Sequence, residues 1–425
     1  WSAPPDLGPV VAMAHDAPRQ RLITAGADGR IRIWDAALRA RRVGGAPAGR
    51  LSMRGGRMLI RAGGGARLHD AGAAPVGPVF AAPEGAFATP LAGGLVAVAP
   101  APGAGGDFIL IDAATGAEIA RHADLAAAPA ISPGGARFLL IGADGGALWG
   151  DGAGGRVRAR LRPGPGGRFL SGDAADSGFA LIASDAEGGA LLFAGDDDGA
   201  LRPVAGWPRA RAELRLSPDG GVALVRLVAE SGAVSGLIVD LVTGARVPVA
   251  AEIAAEGRFG FSPDGGLVHL AAAQGGAVIA ARHDGRVAMK TPPGDLIWSA
   301  SGEVVALKAP PLRAFRAATG APLCAGEKMA AAALGPDGDR AALRGDGGFR
   351  VIDLGLCAPL YSAQAALVGA PVFAGPDRLW LPLEDGLARL SLKVDFAAAR
   401  AGLARIGDEG RGWWRSAGRD AIREP

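Results

Sequence analysis

The sequence predicts an all-β fold made of about ten copies of one four-stranded antiparallel unit. Three observations carry that prediction. Short apolar runs rich in Val, Ile and Leu recur along the 425 residues, separated by Asp-Gly, Gly-Gly or Pro-Asp-Gly turns. The ends of equivalent runs, at Asp35, Asp70, Asp112, Trp149, Phe193, Asp240, Ala281, Arg316, Asp353 and Leu392, fall roughly 35 to 47 residues apart, the length of one four-stranded unit. Finally, Ser217-Pro218-Asp219-Gly220, Ser262-Pro263-Asp264-Gly265 and Gly335-Pro336-Asp337-Gly338 occupy one place in the unit, where Pro presets φ and Gly accepts a positive φ.

The unit reads as a first strand, a turn, a second apolar strand, a hairpin, a third strand and an Asp or Thr-Gly turn into a fourth. Its clearest copy is LITAGADGRIRIWD. There Leu22, Ile23 and Thr24 suit a strand, Asp28-Gly29 supplies the turn, and Ile31 and Ile33 alternate with polar neighbours into Trp34-Asp35. RMLIRAGGGARLHDAG, with His69-Asp70 in the place of Trp34-Asp35, makes the second copy, and GLVAVAP with DFILIDAATGAEIA the third. The fourth holds ISPGGARFLLIGADGGALWG, whose Trp149 aligns with Trp34, and the fifth FALIASDAEGGALLFAGDDDGALRPV. Five more follow, ending in VFAGPDRLWLPLEDGLARLSL.

On these residues the chain resembles the WD40-repeat family. Gly8-Pro9-Val10 stands where the family has GPV, in register with Trp34-Asp35. The resemblance implies a β-propeller whose blades are stapled by a hydrogen-bonded network, with Thr24, Asp28 and Trp34 in three of its places and Asp6 where the family has His. Rings of this family usually close at seven, so counting back from the end predicts three blades of a truncated propeller over 1–123 and a seven-bladed propeller over 124–393; a single irregular ten-bladed ring and a first ring of seven with three blades left over are the alternatives. Beyond them VDFAAARAGLARIGDEG sets Phe396, Ala399, Leu403 and Ile406 at helical spacing and ends at Gly407, predicting a short C-terminal helix in a tail over 394–425. Trp413 and Trp414 in that tail are expected to cover an edge of the propeller or to dock another protein. With no initiator Met at Trp1, the chain is expected to be a fragment of a larger protein.

Composition narrows the function classes. Arg and Lys total 45 against 42 Asp and Glu, without a basic cluster interleaved with aromatics, so no nucleic-acid partner is expected. Lysine occurs at Lys290, Lys308, Lys328 and Lys393 alone; arginine carries almost all the positive charge, and with the excess of Ala and Gly this points to a GC-rich bacterial genome. Cys324 and Cys357 fall at comparable places in consecutive copies, on strands expected to be the outer ones of neighbouring blades, and read as small buried fillers without a disulfide framework. No apolar run approaches the roughly 20 residues of a membrane span, and no secretory signal is visible; a cytoplasmic protein without membrane contact is expected.

Searching for chemistry adds little. The five histidines, His15, His69, His122, His269 and His283, show no metal-ligand spacing and read as structural or surface residues. Asp196-Asp197-Asp198 lacks the alternating donors of a calcium loop and reads as a polar hairpin. The glycine tracts at Gly63-Gly65, Gly105-Gly106 and Gly154-Gly155 lack the ending of a phosphate loop. No catalytic, cofactor or metal residues are therefore assigned, and no cofactor is expected. Proteins resembling this one are mostly scaffolds or recognition modules, often the sensor part of bacterial signalling chains. The expectation is a non-catalytic module for a protein partner, binding at loops that precede first strands or join second to third strands, such as Asp28-Gly29, Asp144-Gly145 and Gly275-Gly276. The alternative is an enzymatic or small-ligand propeller of the lactonase or quinoprotein type, with its site at the central channel.

Overall fold

The computed structural model describes residues 10–391, leaving out 17–20, 27–30, 36–40, 43–49, 55–56, 63, 71–73, 84–85, 101–105, 327, 346–347, 356, 364–366, 377 and 384–385; side chains are described from Arg57 onward, except at 62, 358, 363, 386 and 391. Among the described residues the chain forms an all-β propeller of nine four-stranded antiparallel sheets, with one three-stranded sheet besides. In ring order, blades 1 to 8 span 50–81, 87–122, 130–161, 168–207, 210–248, 259–290, 296–325 and 330–363. Blade 9 takes three strands from 372–391 and its fourth from Arg41–Arg42, which pairs with Gly386–Ser391.

Ring closure is visible in the core. Among the described residues, nine apolar clusters each join two neighbouring blades. The last of these seams packs Met58 and Ile60 of blade 1 against Trp380 and Leu387 of blade 9. Because a blade touches neighbours on both faces, its middle strands are buried on both, and runs such as Leu95–Ala99 and Val304–Leu307 are apolar throughout. Fourth strands lie at the rim and alternate: Val157–Leu161 keeps Arg158 and Arg160 outward. First strands touch one another around the axis, as Arg168–Ala175 touches Ala210–Leu216.

Two expectations are corrected here. Ten copies become nine blades because the first copy is a three-stranded sheet of Val10–Asp16, Arg21–Gly26 and Ile31–Asp35, lying against the outer strand Ala358–Ala363 of blade 8. The strand that would complete it, Arg41–Arg42, instead covers the open edge of the last sheet, so that one blade joins an early strand to the last three. The boundary expected at residue 124 has no counterpart in the packing, since Leu91, Leu95 and Phe108 share a cluster with Leu125, Phe138 and Leu140. The C-terminal helix and the Trp413-Trp414 pair lie outside the described residues.

The serine turns are built as their sequence predicts. Buried Ser217 accepts from the Val222 amide at 3.0 Å while donating to Asp219 Oδ1 at 2.5 Å, and Ser262 repeats both bonds with Leu267 and Asp264 at 2.9 and 2.5 Å. Ser132 and Ser299 accept in the same way from Arg137 and Val304. Each turn therefore carries an internal partner for an amide that the strand ladder leaves unpaired.

Candidate functional site

In every blade the start of the first strand pairs with the end of the second, as Ala210 does with Ala229. Segments entering first strands and hairpins joining second to third strands therefore share one face of the ring. Among the described residues, two recesses at seams between blades each include a segment entering a first strand, 123–125 in one and 257–258 in the other.

The recess between blades 2 and 3 encloses about 460 Å³ and is lined by Arg121, His122, Asp124, Asp144, Arg160 and Arg162, among others. Asp124 adopts φ 56°, turning the chain out of the fourth strand of blade 2. Arg121 is engaged by Glu118 at 2.6 Å and Asp107 at 2.9 Å, and Arg162 by Asp144 at 2.8 Å. The Gly146 amide, ahead of the Arg162 guanidinium, holds the Asp144 carboxyl below the usual carboxylate range. His122 lies beside the paired rings of Phe108 and Phe138, 6.2 and 6.4 Å away. Burial, followed by the nearby Arg160 charge, lowers its pKa. Its Nε2 is buried without a hydrogen-bond partner.

The recess between blades 5 and 6 encloses about 390 Å³ and is lined by Glu213, Arg215, Arg226, Gly257, Arg258, Phe259 and His269. Arg226, 6% exposed, donates Nη1 to the Gly257 carbonyl at 2.8 Å and Nη2 to Glu213 Oε2 at 2.5 Å. Its guanidinium carbon lies 4.7 Å from the Phe259 ring centre, and that of Arg215 lies 5.4 Å from the same ring. Arg215 donates to the Leu214 carbonyl at 3.2 Å and meets no carboxylate among the described residues. Arg258 has Asp295 at 3.4 Å. Burial, then the charges of Arg215 and Arg258, push the His269 imidazole down to about 4, so it is neutral at pH 7. Its Nδ1 is buried without a partner.

The staple residues implied by the family resemblance lie outside the described side chains: Thr24 and Trp34 fall on strands Arg21–Gly26 and Ile31–Asp35, and Asp28 is outside the described residues. Trp149, in the corresponding place of blade 3, makes a bond across a seam instead. Its indole donates to the Asp197 carbonyl of blade 4 at 3.1 Å and its ring lies 4.6 Å from Phe179. The Asp197 carboxylate takes Arg137 Nε and Nη2 at 2.6 and 3.0 Å and Arg158 Nη1 at 2.8 Å. Asp196 Oδ1 accepts from the Asp198 and Ala200 amides, closing the expected polar hairpin.

Of the predicted binding loops, Asp144 and its neighbours Ala143 and Gly146 line the first recess; Asp28-Gly29 is undescribed, and Gly275-Gly276 lines neither. The arginine content was the signal for these recesses, but it does not say which arginines lack a partner. Among the described residues no group of three or more His, Cys, Asp or Glu is placed to hold a metal, and no helix is long and apolar enough to cross a membrane.

The cysteines are not fillers. Cys324, on the fourth strand Pro322–Ala325 of blade 7, is bonded to Cys357, which precedes the fourth strand of blade 8, with Cα atoms 5.2 Å apart. Comparable places in consecutive copies are adjacent rim positions of adjacent blades, within reach of a disulfide.

No protein-family model matches the chain, and no curated protein matches it. Solved structures do. A crystal structure of the eukaryotic initiation factor superposes with a TM-score of 0.57 at 12% identity, covering 86% of this chain and 99% of that one. BamB from Moraxella catarrhalis superposes with a TM-score of 0.41 at 16% identity, covering 72% and 96%. At such identity, the first likeness speaks for the propeller fold alone.

Proposed function

We propose that this chain is a non-catalytic protein-interaction module of WD40 type, the recognition part of a larger bacterial signalling protein, and that it engages its partner through the face bearing the two recesses. One observation carries the reading. On that face each recess pairs a partly buried, neutral histidine with an arginine, Arg160 or Arg215, that has no carboxylate among the described residues. Uncompensated guanidinium groups on a rigid ring favour an acidic surface patch, both in steering the encounter and in fixing its orientation. The Cys324–Cys357 bond supports work in an oxidising compartment over the cytoplasm expected from the sequence.

Affinity capture with the wild-type chain and an Arg160→Glu/Arg215→Glu variant of equal thermal stability tests the reading. A protein retained by the wild type, lost by the variant and binding more weakly as salt rises is the expected result. Identical captured sets would overturn it, as would stoichiometric metal in the purified chain with turnover of a small substrate.

A further inference from the structure

We infer that the recess between blades 5 and 6 is an oxyanion site, in which Arg215 takes one carboxylate or phosphate group of a bound protein segment while His269 donates from the inner wall. This deepens the reading of that face as protein-binding and rests on it only for the source of the anion.

The charge balance points this way first. The lining holds Arg215, Arg226 and Arg258 against Glu213. In the recess between blades 2 and 3, by contrast, Asp124 and Asp144 also line the walls, and Arg121 and Arg162 are already paired. Here Arg226 is paired with Glu213 and Arg258 with Asp295, which leaves the charge of Arg215, in a partly dry concavity, for a second anion to balance.

Preorganisation comes next. Arg226 is fixed by the Gly257 carbonyl, by Glu213 and by its place over Phe259, so little side-chain freedom remains to be lost on binding. Arg215, an exposed residue, lies near the same ring from the innermost strand of blade 5. Arg226 already donates from Nη1 and Nη2, so the open donors are those of Arg215, whose planar guanidinium suits a carboxylate or phosphate as the point charge of a lysine would not.

His269 adds an independent observation. Its Nδ1 is buried, without a partner, in a histidine that lines the recess. Surrounded by Arg215 and Arg258, the ring stays neutral and can still carry one proton for donation. An anion would accept that hydrogen bond and offset the arginine charge, which raises the imidazole pKa.

The test follows the histidine resonances of the full chain by NMR, with His269 assigned through His269→Gln. Two kinds of probe are titrated in: inorganic phosphate, and an acetylated, amidated pentapeptide Ala-Ala-X-Ala-Ala in which X is Glu, phosphoserine or Gln. The expected result is a saturable shift of the His269 signal at millimolar phosphate and an upward move of its titration midpoint by about one unit. The Glu or phosphoserine peptide gives the same response and the Gln peptide none, which identifies the source as a protein segment and tells carboxylate from phosphate. Arg215→Gln, at an exposed position, weakens binding by about tenfold with an unchanged melting temperature. No saturable shift with phosphate, or an equal shift in Arg215→Gln, overturns the site. Response to phosphate but to no peptide upholds the oxyanion site, overturns a protein segment as its source and leaves the capture experiment to judge the interaction module separately.

Discussion

Arg137 Nε lies 2.6 Å from Asp197 Oδ1, and the two residues belong to different blades. The same device recurs around the ring. Arg61 of blade 1 reaches the Pro83 and Ala86 carbonyls that lead into blade 2, Arg202 of blade 4 the Leu241 carbonyl of blade 5, Arg282 of blade 6 Asp219 of blade 5, and Arg340 of blade 8 the Pro376 carbonyl of blade 9. Apolar clusters hold the seams but are non-directional; a guanidinium that reaches a fixed carbonyl or carboxylate adds orientation.

Asp197 should therefore matter to stability more than its exposed hairpin implies. Arg137→Ala or Asp197→Asn is expected to cost about 1–2 kcal/mol, with solvent screening at the half-exposed aspartate keeping the figure low, and the double variant to show coupling of about 1 kcal/mol in urea unfolding. Arg137, ahead of Arg158, holds the Asp197 carboxyl below the usual carboxylate range. For a depressed carboxylate the stabilisation is present above the unfolded-state pKa of about 4 and is lost as pH falls toward the folded-state value. Asp197→Asn should accordingly flatten the acid limb of the stability profile below about pH 4. Additive single-variant costs with an unchanged acid limb would refute the clamp.

How much of this was legible depended on whether a feature has a period. Third strands recur with their unit, so Trp149, Asp240, Ala281, Arg316 and Asp353 fall on strands Ala147–Asp151, Val234–Asp240, Ala277–Ala281, Arg313–Arg316 and Gly348–Asp353. The serine turns were legible because Pro, Asp and Gly have local reasons to stand there. Closure was not: Arg41–Arg42 is too short to show alternation, and its place is set by an open edge far along the chain. The recess was hidden for a related reason, because Arg226 meets the Gly257 carbonyl only when neighbouring blades fold against each other. The alignment of Cys324 with Cys357 was visible in the repeat, whereas their pairing needed the spacing of the rim.

The Cys324–Cys357 bond predicts a measurable redox dependence. It closes a loop of sequence separation 33, for which chain-entropy reasoning gives about 3–4 kcal/mol of stabilisation. Iodoacetamide should label neither thiol in the native or unfolded oxidised chain and both after reduction, and reduction should lower the melting temperature by several degrees. Labelling of both thiols without reductant would show that the bond is absent.

His269 predicts a second pH dependence, of opposite origin to that of Asp197. Its imidazole is pushed down to about 4 by burial first and then by Arg215 and Arg258, while the unfolded chain titrates near 6.5. The unfolded state then binds the proton first, so stability is full above about pH 7 and falls as pH drops toward 4, by roughly 2–3 kcal/mol. Urea unfolding of wild type and His269→Gln between pH 7.5 and about 4 separates this effect from the carboxylates, whose contribution lies mainly lower. A variant whose stability falls as steeply as that of the wild type would remove His269 from the account.

Two glycines are required by aromatic neighbours. Gly150 lies opposite Phe138 in blade 3 and Gly195 opposite Phe179 in blade 4, each ring folding over the glycine so that an added Cβ would come within 2.0 Å of the ring carbon Cζ. Both phenylalanines are fully buried, and neither ring can move without opening a void in the seam. Gly232, by contrast, has φ +81° but nothing within 4 Å of an added Cβ. Gly232→Ala should cost about 1 kcal/mol, the backbone strain of the left-handed region alone. Gly150→Ala and Gly195→Ala face no such strain, yet overpacking should cost them about 2–3 kcal/mol each. Combining Gly150→Ala with Phe138→Leu, which removes the flat ring that the new methyl would meet, should recover part of that cost. If unfolding measurements rank Gly232→Ala as the most damaging of the three, backbone conformation and not ring packing governs these positions.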